Sequence, residues 1–359
     1  MPTGTACLHR ISLTFLFTAV LLALPLPKFD PLPAPLSNNA VAQVKSRGDL
    51  YFFSFMGIGP KKTWDDISNA AFILDPYNGK WKQIRNVPGP AGRLAAVAAG
   101  AREHVFLFGG YTVDAQGGEV TVADVNVYEP LSDRWFRGAD LPFAVDDSIA
   151  GVYHDRYIYL VSGWSKSDAI NNVQVYDAEK NQWFQATPIP GRPVFGHAGA
   201  IAGDTVVYVD GAYRNPTGSP KYIASNECWM GKVDHKNPAK IAWIKLPAHP
   251  GNAHYRIAAG GSEKDQKVYF SGGTDNPYNF NGVGYNGEPS EPSSYTFALD
   301  IRSGKWEVLN AETSHPTMDH RGLLILPDAL LLIGGMGSGQ TVTPQVHLMN
   351  KQGKDLQKD

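Results

Sequence analysis

Val105-Phe106-Leu107-Phe108-Gly109-Gly110, followed by Tyr128-Glu129 and then by Trp135, is the stretch that decides the fold. An apolar run closing on glycine recurs at residues 50–57, 157–163, 206–211, 268–273 and 330–335. After each run comes a polar loop and a second apolar residue beside an acid or amide: Leu74-Asp75, Tyr176-Asp177, Val233-Asp234, Leu299-Asp300 and Met349-Asn350. Trp81, Trp135, Trp183 and Trp306 each stand six positions past the acid, and Trp243 stands nine past Asp234. A period near 50 residues with a glycine close and one tryptophan per unit marks a propeller blade. Six units predict an all-β, six-bladed propeller of four-stranded antiparallel blades.

Within each unit the strands read in order. Strand a is small or apolar, at 39–45, 94–99, 148–153, 197–202, 256–260 and 321–326. Strand b is the run closing on glycine, strand c carries the apolar–acid pair, and strand d carries the tryptophan. Runs of Val, Ile, Tyr and Phe bounded by Gly, Pro, Asn and Asp are strand signals. The tryptophans are large apolar plates suited to the gaps between blades. Trp64 and Trp164 differ, because both fall in loops after a strand b glycine. In the sixth unit Leu356 stands at the tryptophan spacing. Phe29, followed by Leu32-Pro33 as Trp81 is by Val87-Pro88, is the rival for the outer strand.

The 359 residues carry a net charge of −2 with no basic stripe, which argues against nucleic acid as a partner. Of two cysteines, Cys7 lies in the amino-terminal leader and Cys228 is alone in the folded part, so no internal disulfide is expected. His9 and Arg10 precede an apolar run at 11–24 whose fourteen residues suit an export signal and fall short of the ~20 needed to span a bilayer. The expected organisation is a leader at 1–28 and one propeller at 29–359. The expected location is periplasmic or secreted, with anchoring by an uncleaved amino-terminal segment as the alternative. No membrane span beyond the leader is visible.

The units at Phe108-Gly109-Gly110 with Tyr128-Glu129 and Trp135, and at Ser271-Gly272-Gly273 with Leu299-Asp300 and Trp306, together with Ile333-Gly334-Gly335, resemble the kelch-repeat β-propellers. That family includes binding proteins, scaffolds and a few enzymes, so the resemblance implies fold more than function. Galactose oxidase, a copper radical enzyme, is built on such a propeller. Here Tyr153-His154 falls at an a–b turn and Cys228 has no tyrosine partner, which argues against a copper site. The plan of leader, six glycine units and a long polar fifth-blade loop (Gly272-Gly273-Thr274-Asp275 to Tyr285-Asn286-Gly287) is similar to the periplasmic sialic-acid mutarotase type of kelch protein. Where that type places a glutamate after the fourth-blade glycine, this chain has Gly211-Ala212-Tyr213-Arg214.

Antiparallel strand order puts the b–c loops and d–a crossovers on one face, and the unusual polar residues gather there. Arg93, Arg192, Arg214, Arg256, Arg321, Tyr213, Asn276, Tyr278 and Asn279 are the candidate ligand-binding residues. Arg forks match a carboxylate, Asn serves hydroxyls, and Tyr planes cover a sugar ring. Arg93, Arg256 and Arg321 are expected at corresponding positions of three blades, converging near the axis. This reading is of a binding module for a carbohydrate or acidic sugar. A sugar mutarotase or epimerase is the alternative, with His254, His320, Asp147 and Glu288 as candidate acids and bases. A protein-interaction scaffold using the same face is the third possibility. Neither a His-x-His nor a Cys-x-x-Cys motif occurs, so no metal is expected. No nucleotide fingerprint occurs either, so no cofactor is expected.

Overall fold

The structure is a computed structural model that describes residues 26–89 and 91–357. The leader expected at 1–28 falls almost wholly outside the described residues. Five blades are four-stranded antiparallel sheets in simple sequence order. Blade 2, for example, is Val97–Ala101, His104–Phe108, Val125–Glu129 and Arg134–Arg137. Strand b is buried on both sides because each blade is sandwiched between two others, which is why Thr205–Val209 and Ala329–Ile333 are apolar nearly throughout. The inner strands are small for a steric reason. A Cβ on Gly100 would sit 2.0 Å from the carbonyl oxygen of Gln43 in the neighbouring blade.

The tryptophans pack as expected. Trp135 stands edge-on to Phe55 of blade 1 at 5.6 Å, and Trp183 edge-on to Phe108 of blade 2 at 5.7 Å. Each indole N–H donates to a backbone carbonyl of the preceding crossover: Trp81 to Asp30, Trp135 to Arg85, Trp183 to Ala139 and Trp306 to Pro247. The pattern gives five of the six blade gaps an indole filler with its one polar atom satisfied; the sixth unit carries Leu356 at that spacing.

The sixth blade departs from the others. It has three regular strands, Leu324–Ile325, Ala329–Ile333 and Val346–Asn350. Its outer position is shared by both chain ends. Asp355 bridges Met349, and the Leu356 N–H donates to Leu348. The Leu32 N–H donates to Pro344, as that of Val87 does to Asn69 in blade 1, and Phe29 is buried at 3% exposure. Gln357 reaches the Pro27 carbonyl, joining the two segments end to end. Both sequence candidates therefore occupy the outer position in succession.

Toward the axis, one residue per blade adopts a left-handed backbone shortly ahead of the inner strand: Asn38, Ala95, Asp147, Gly196, Arg256 and Asp319. These six form a closed ring. Asn38 N–H donates to Asp319, Asp147 to Ala95, Gly196 to Asp147 and Arg256 to Gly196. The Ala95 N–H donates to the Asn38 side chain, and the His320 N–H returns to Arg256. The ring marks true correspondence between blades and corrects the sequence alignment of three arginines. Arg93 lies two residues before the ring, Arg256 in it and Arg321 two residues after. No described helix is long and apolar enough to cross a membrane.

Candidate functional site

On the b–c/d–a face the b–c connections rise as small hairpins. In blade 2, Asp114 accepts from the Gln116 and Gly118 N–H groups and closes the tip between Tyr111–Val113 and Glu119–Thr121. Directly paired residues share a face, so Tyr111 with Thr121 and Val113 with Glu119 stand on one side. Blade 3 adds Trp164–Ser165 with Asp168–Ala169, and blade 4 adds Ala212–Arg214 with Tyr222–Ala224. Arg214 pairs with Asp168 at 3.0 Å and ties these two hairpins together.

Between blades 2 and 5 these hairpins enclose a cavity of about 210 Å³. Tyr111, Trp164, Tyr222 and Tyr285 form its walls, and Asp146, Asp147 and Arg256 lie at its base. Glu119, Lys166, Lys221 and Asn279 also line it and are exposed. The aromatic wall is rigid, because Trp164 meets Phe195 and Tyr222 edge-on at 5.3 and 5.5 Å, and Tyr222 meets Tyr285 at 4.7 Å. Pockets for drug-sized ligands start near ~300 Å³, so the space suits one small molecule rather than an extended chain.

The base of this cavity is a charge network. Arg256 donates to both Asp147 oxygens at 3.1 and 2.8 Å and to Asp319 at 2.9 Å. Arg321 pairs with the same Asp147 at 2.5 Å. Ser37 and Asn38 complete Asp319. Burial would raise the Asp147 carboxyl, but Arg256 and Arg321 beside it hold it below its usual range. Its neighbour Asp146 behaves in the opposite way. Burial and the adjacent Asp147 charge raise the Asp146 carboxyl well above the usual range, and one Thr121 hydroxyl bond at 2.6 Å does not offset them. Desolvation also raises Glu119.

Of the residues singled out in the sequence, Asp147, Arg256 and Asn279 line the cavity. Arg93 turns instead to Asn126, at 2.7 Å, and to Asp124, so the three arginines do not converge. Arg321 meets Asp147 from the side of the central channel, where it lines a second cavity of about 290 Å³. Arg192 stacks on Tyr213, 4.0 Å from the ring centroid, and is exposed. Asn276 braces the fifth-blade loop by donating to the Glu288 carbonyl, and the Glu288 side chain is exposed. Tyr278 is wholly buried, with the Arg256 guanidinium 5.2 Å from its ring.

His320 lies in the channel lining, bonded to Thr317, and burial lowers it to about 4. His254 is also lowered to about 4 by burial and lies away from the cavity. It belongs to a buried group with Asp210 and His249, whose ligand-capable atoms lie within 4.8 Å of one another. Glu119, Lys166 and Lys221 are cavity residues that carry chemistry and had no signal in the sequence. Trp164 had one, as a tryptophan outside the repeat position, and Asp146 another, as an acid beside Asp147 on a d–a crossover, but neither was among the assigned site residues.

A kelch motif model matches residues 148–190. The kelch-like protein terF of Aspergillus terreus is 24% identical over 62% of this chain and 48% of its own length. Kelch-like protein 26 of Danio rerio is 23% identical over 71% of the chain and 38% of its length. The chain thus spans less than half of these curated relatives. A solved structure described as the structure of YjhT superposes with a TM-score of 0.71 at 17% identity, covering 92% of this chain and 99% of that one. The matched motif and the six glycine-closed blades agree: the chain is a kelch-repeat β-propeller of six blades.

Proposed function

We propose that the chain is a carbohydrate-active propeller of the sugar mutarotase or epimerase type, acting on an acidic sugar held between blades 2 and 5. The observation that carries this reading is a pair of carboxyl groups raised above their usual range, Asp146 and Glu119, in one aromatic-walled cavity. Opening a sugar hemiacetal or hemiketal requires a base at the anomeric hydroxyl and an acid at the ring oxygen. The C–O ring bond breaks as the carbonyl forms, and closure from the other side yields the second anomer. Asp146, kept protonated by burial, supplies the acid, and Glu119 supplies the base. Lys166 and Lys221 meet the substrate carboxylate. Arg256 is committed elsewhere, because each of its three guanidinium nitrogens already donates to Asp147 or Asp319. The sequence plan shared with the sialic-acid mutarotase type supports the same reading, and export to the periplasm or outside the cell belongs to the proposal.

The test is NMR exchange between anomers of sialic acid and of uronic acids. Exchange should accelerate with the protein and fall to background in Asp146→Asn. Saturable binding without acceleration returns the chain to a binding module. Absence of binding by every acidic sugar, with a protein partner recovered instead, supports a scaffold.

A further inference from the structure

The buried group at Asp210, His249 and His254 lies between blades 4 and 5, outside the sugar cavity. Asp210 follows strand Thr205–Val209, and both histidines sit on the crossover into blade 5. In blades 2, 5 and 6 the position of Asp210 is Gly109, Gly272 or Gly334. A Cβ on those glycines would stand 2.1–2.3 Å from a crossover carbonyl oxygen. Asp210 accepts the same left-handed backbone, at φ +61°, and aims its carboxylate at the crossover.

The hydrogen bonding around this carboxylate is incomplete. His249 Nδ1 lies 2.9 Å from the Pro250 carbonyl oxygen, which can only accept, so Nδ1 carries a proton. That leaves Nε2 facing Asp210 Oδ2 at 2.7 Å, where one proton, or a cation in its place, joins the pair. The other carboxylate oxygen, Asp210 Oδ1, has no hydrogen-bond partner, and neither has His254 Nδ1. All three residues are at most 5% exposed. Buried polar atoms are almost always paired, and two orphans beside a His–carboxylate contact form an unfinished coordination shell.

We propose that Asp210, His249 and His254 bind one divalent transition-metal ion of the zinc type, which pins the crossover to strand b of blade 4. Two imidazoles and a carboxylate are a three-ligand set that leaves a fourth position for water. The bond from His249 Nδ1 to the Pro250 carbonyl fixes the tautomer that presents Nε2 to an ion. Two metal–ligand bonds of about 2.1 Å span at most ~4.2 Å, so side chains now within 4.8 Å close on an ion by small rotations. Phe297, stacked on His249 at 4.4 Å, and Trp306 supply the dry surround. This inference stands independently of the sugar reading.

Cobalt(II) is the probe, added to tag-free protein after exhaustive treatment with a chelator. One equivalent should bind with the visible ligand-field bands of a low-coordinate site, and zinc should displace it. His254→Gln removes a ring atom that has no partner, so it should fold while losing more than ~10-fold in affinity. X-ray absorption of the wild-type zinc form should show two imidazoles, a readout that needs no variant. Asp146→Asn, in the sugar cavity, should bind cobalt as the wild type does. Failure of the wild type to bind either ion overturns the proposal. So does wild-type affinity in His254→Gln, or a zinc spectrum without imidazole.

Discussion

Asp146 and Asp147 are consecutive, both almost fully buried, and electrostatically opposed. Asp147 belongs to the axial plug, where two guanidinium groups face two carboxylates and each guanidinium nitrogen of Arg256 donates to one of them. Asp146 faces the cavity with a threonine hydroxyl and no cation in hydrogen-bonding contact. The contrast teaches that paired charge here is architecture, whereas a buried carboxyl left without a counterion is available for chemistry.

The largest effect should come from breaking the plug. Arg256→Ala leaves Asp147 and Asp319 short of a buried partner and should cost about 3–5 kcal/mol in denaturant unfolding. A loss below about 1 kcal/mol would show that the plug is not structural. Asp146→Asn should do the opposite while lowering anomer exchange by about 100-fold or more. Its melting temperature near pH 7 should rise by about 1–3 °C.

The sign follows from linkage. Asp146 has a folded pKa above its usual 3.8, so the wild type loses stability as pH rises from there through the folded value. Asp147 has a folded pKa below 3.8, so its contribution is full above that value and is lost as pH falls through the folded one. Melting curves of Asp146→Asn should lack the first slope and keep the second. Lys166→Ala with Lys221→Ala should weaken acidic-sugar binding about 5–10-fold, less at high salt, with melting unchanged. An unchanged Kd would remove the lysines from carboxylate recognition. The smallest change is Trp135→Phe, which loses the bond to the Arg85 carbonyl and should cost about 1 kcal/mol, read by thermal unfolding.

The repeat was legible because packing imposes the same demand on every blade. A glycine must close strand b: a Cβ on Gly110 would meet the Leu94 carbonyl oxygen at 2.6 Å. An indole fills five of the six gaps. The axial ring was not legible, because its six members share a backbone angle and no side-chain type. Asn38, Ala95, Asp147, Gly196, Arg256 and Asp319 look unrelated in sequence, and crossovers of unequal length misaligned Arg93 and Arg321 with Arg256. The cavity was only partly legible. Glu119, Lys166 and Lys221 reach it on short hairpins inside loops that read as turns. Asp146 differs from Asp147 only in what surrounds it, which no linear pattern records. The Asp210 group was missed because its members come from a strand end and a crossover 39 and 44 residues further along.

The axial ring also makes the propeller's hole a blind shaft. The channel cavity behind it and the aromatic-walled cavity before it are back to back, and the Arg321–Asp147 pair is the partition between them. Matter entering from the far side would stop there, but its field would not. An anion lodged behind Arg321 would compete with Asp147 for that guanidinium, and the disturbance would reach the carboxyl of Asp146 across the wall.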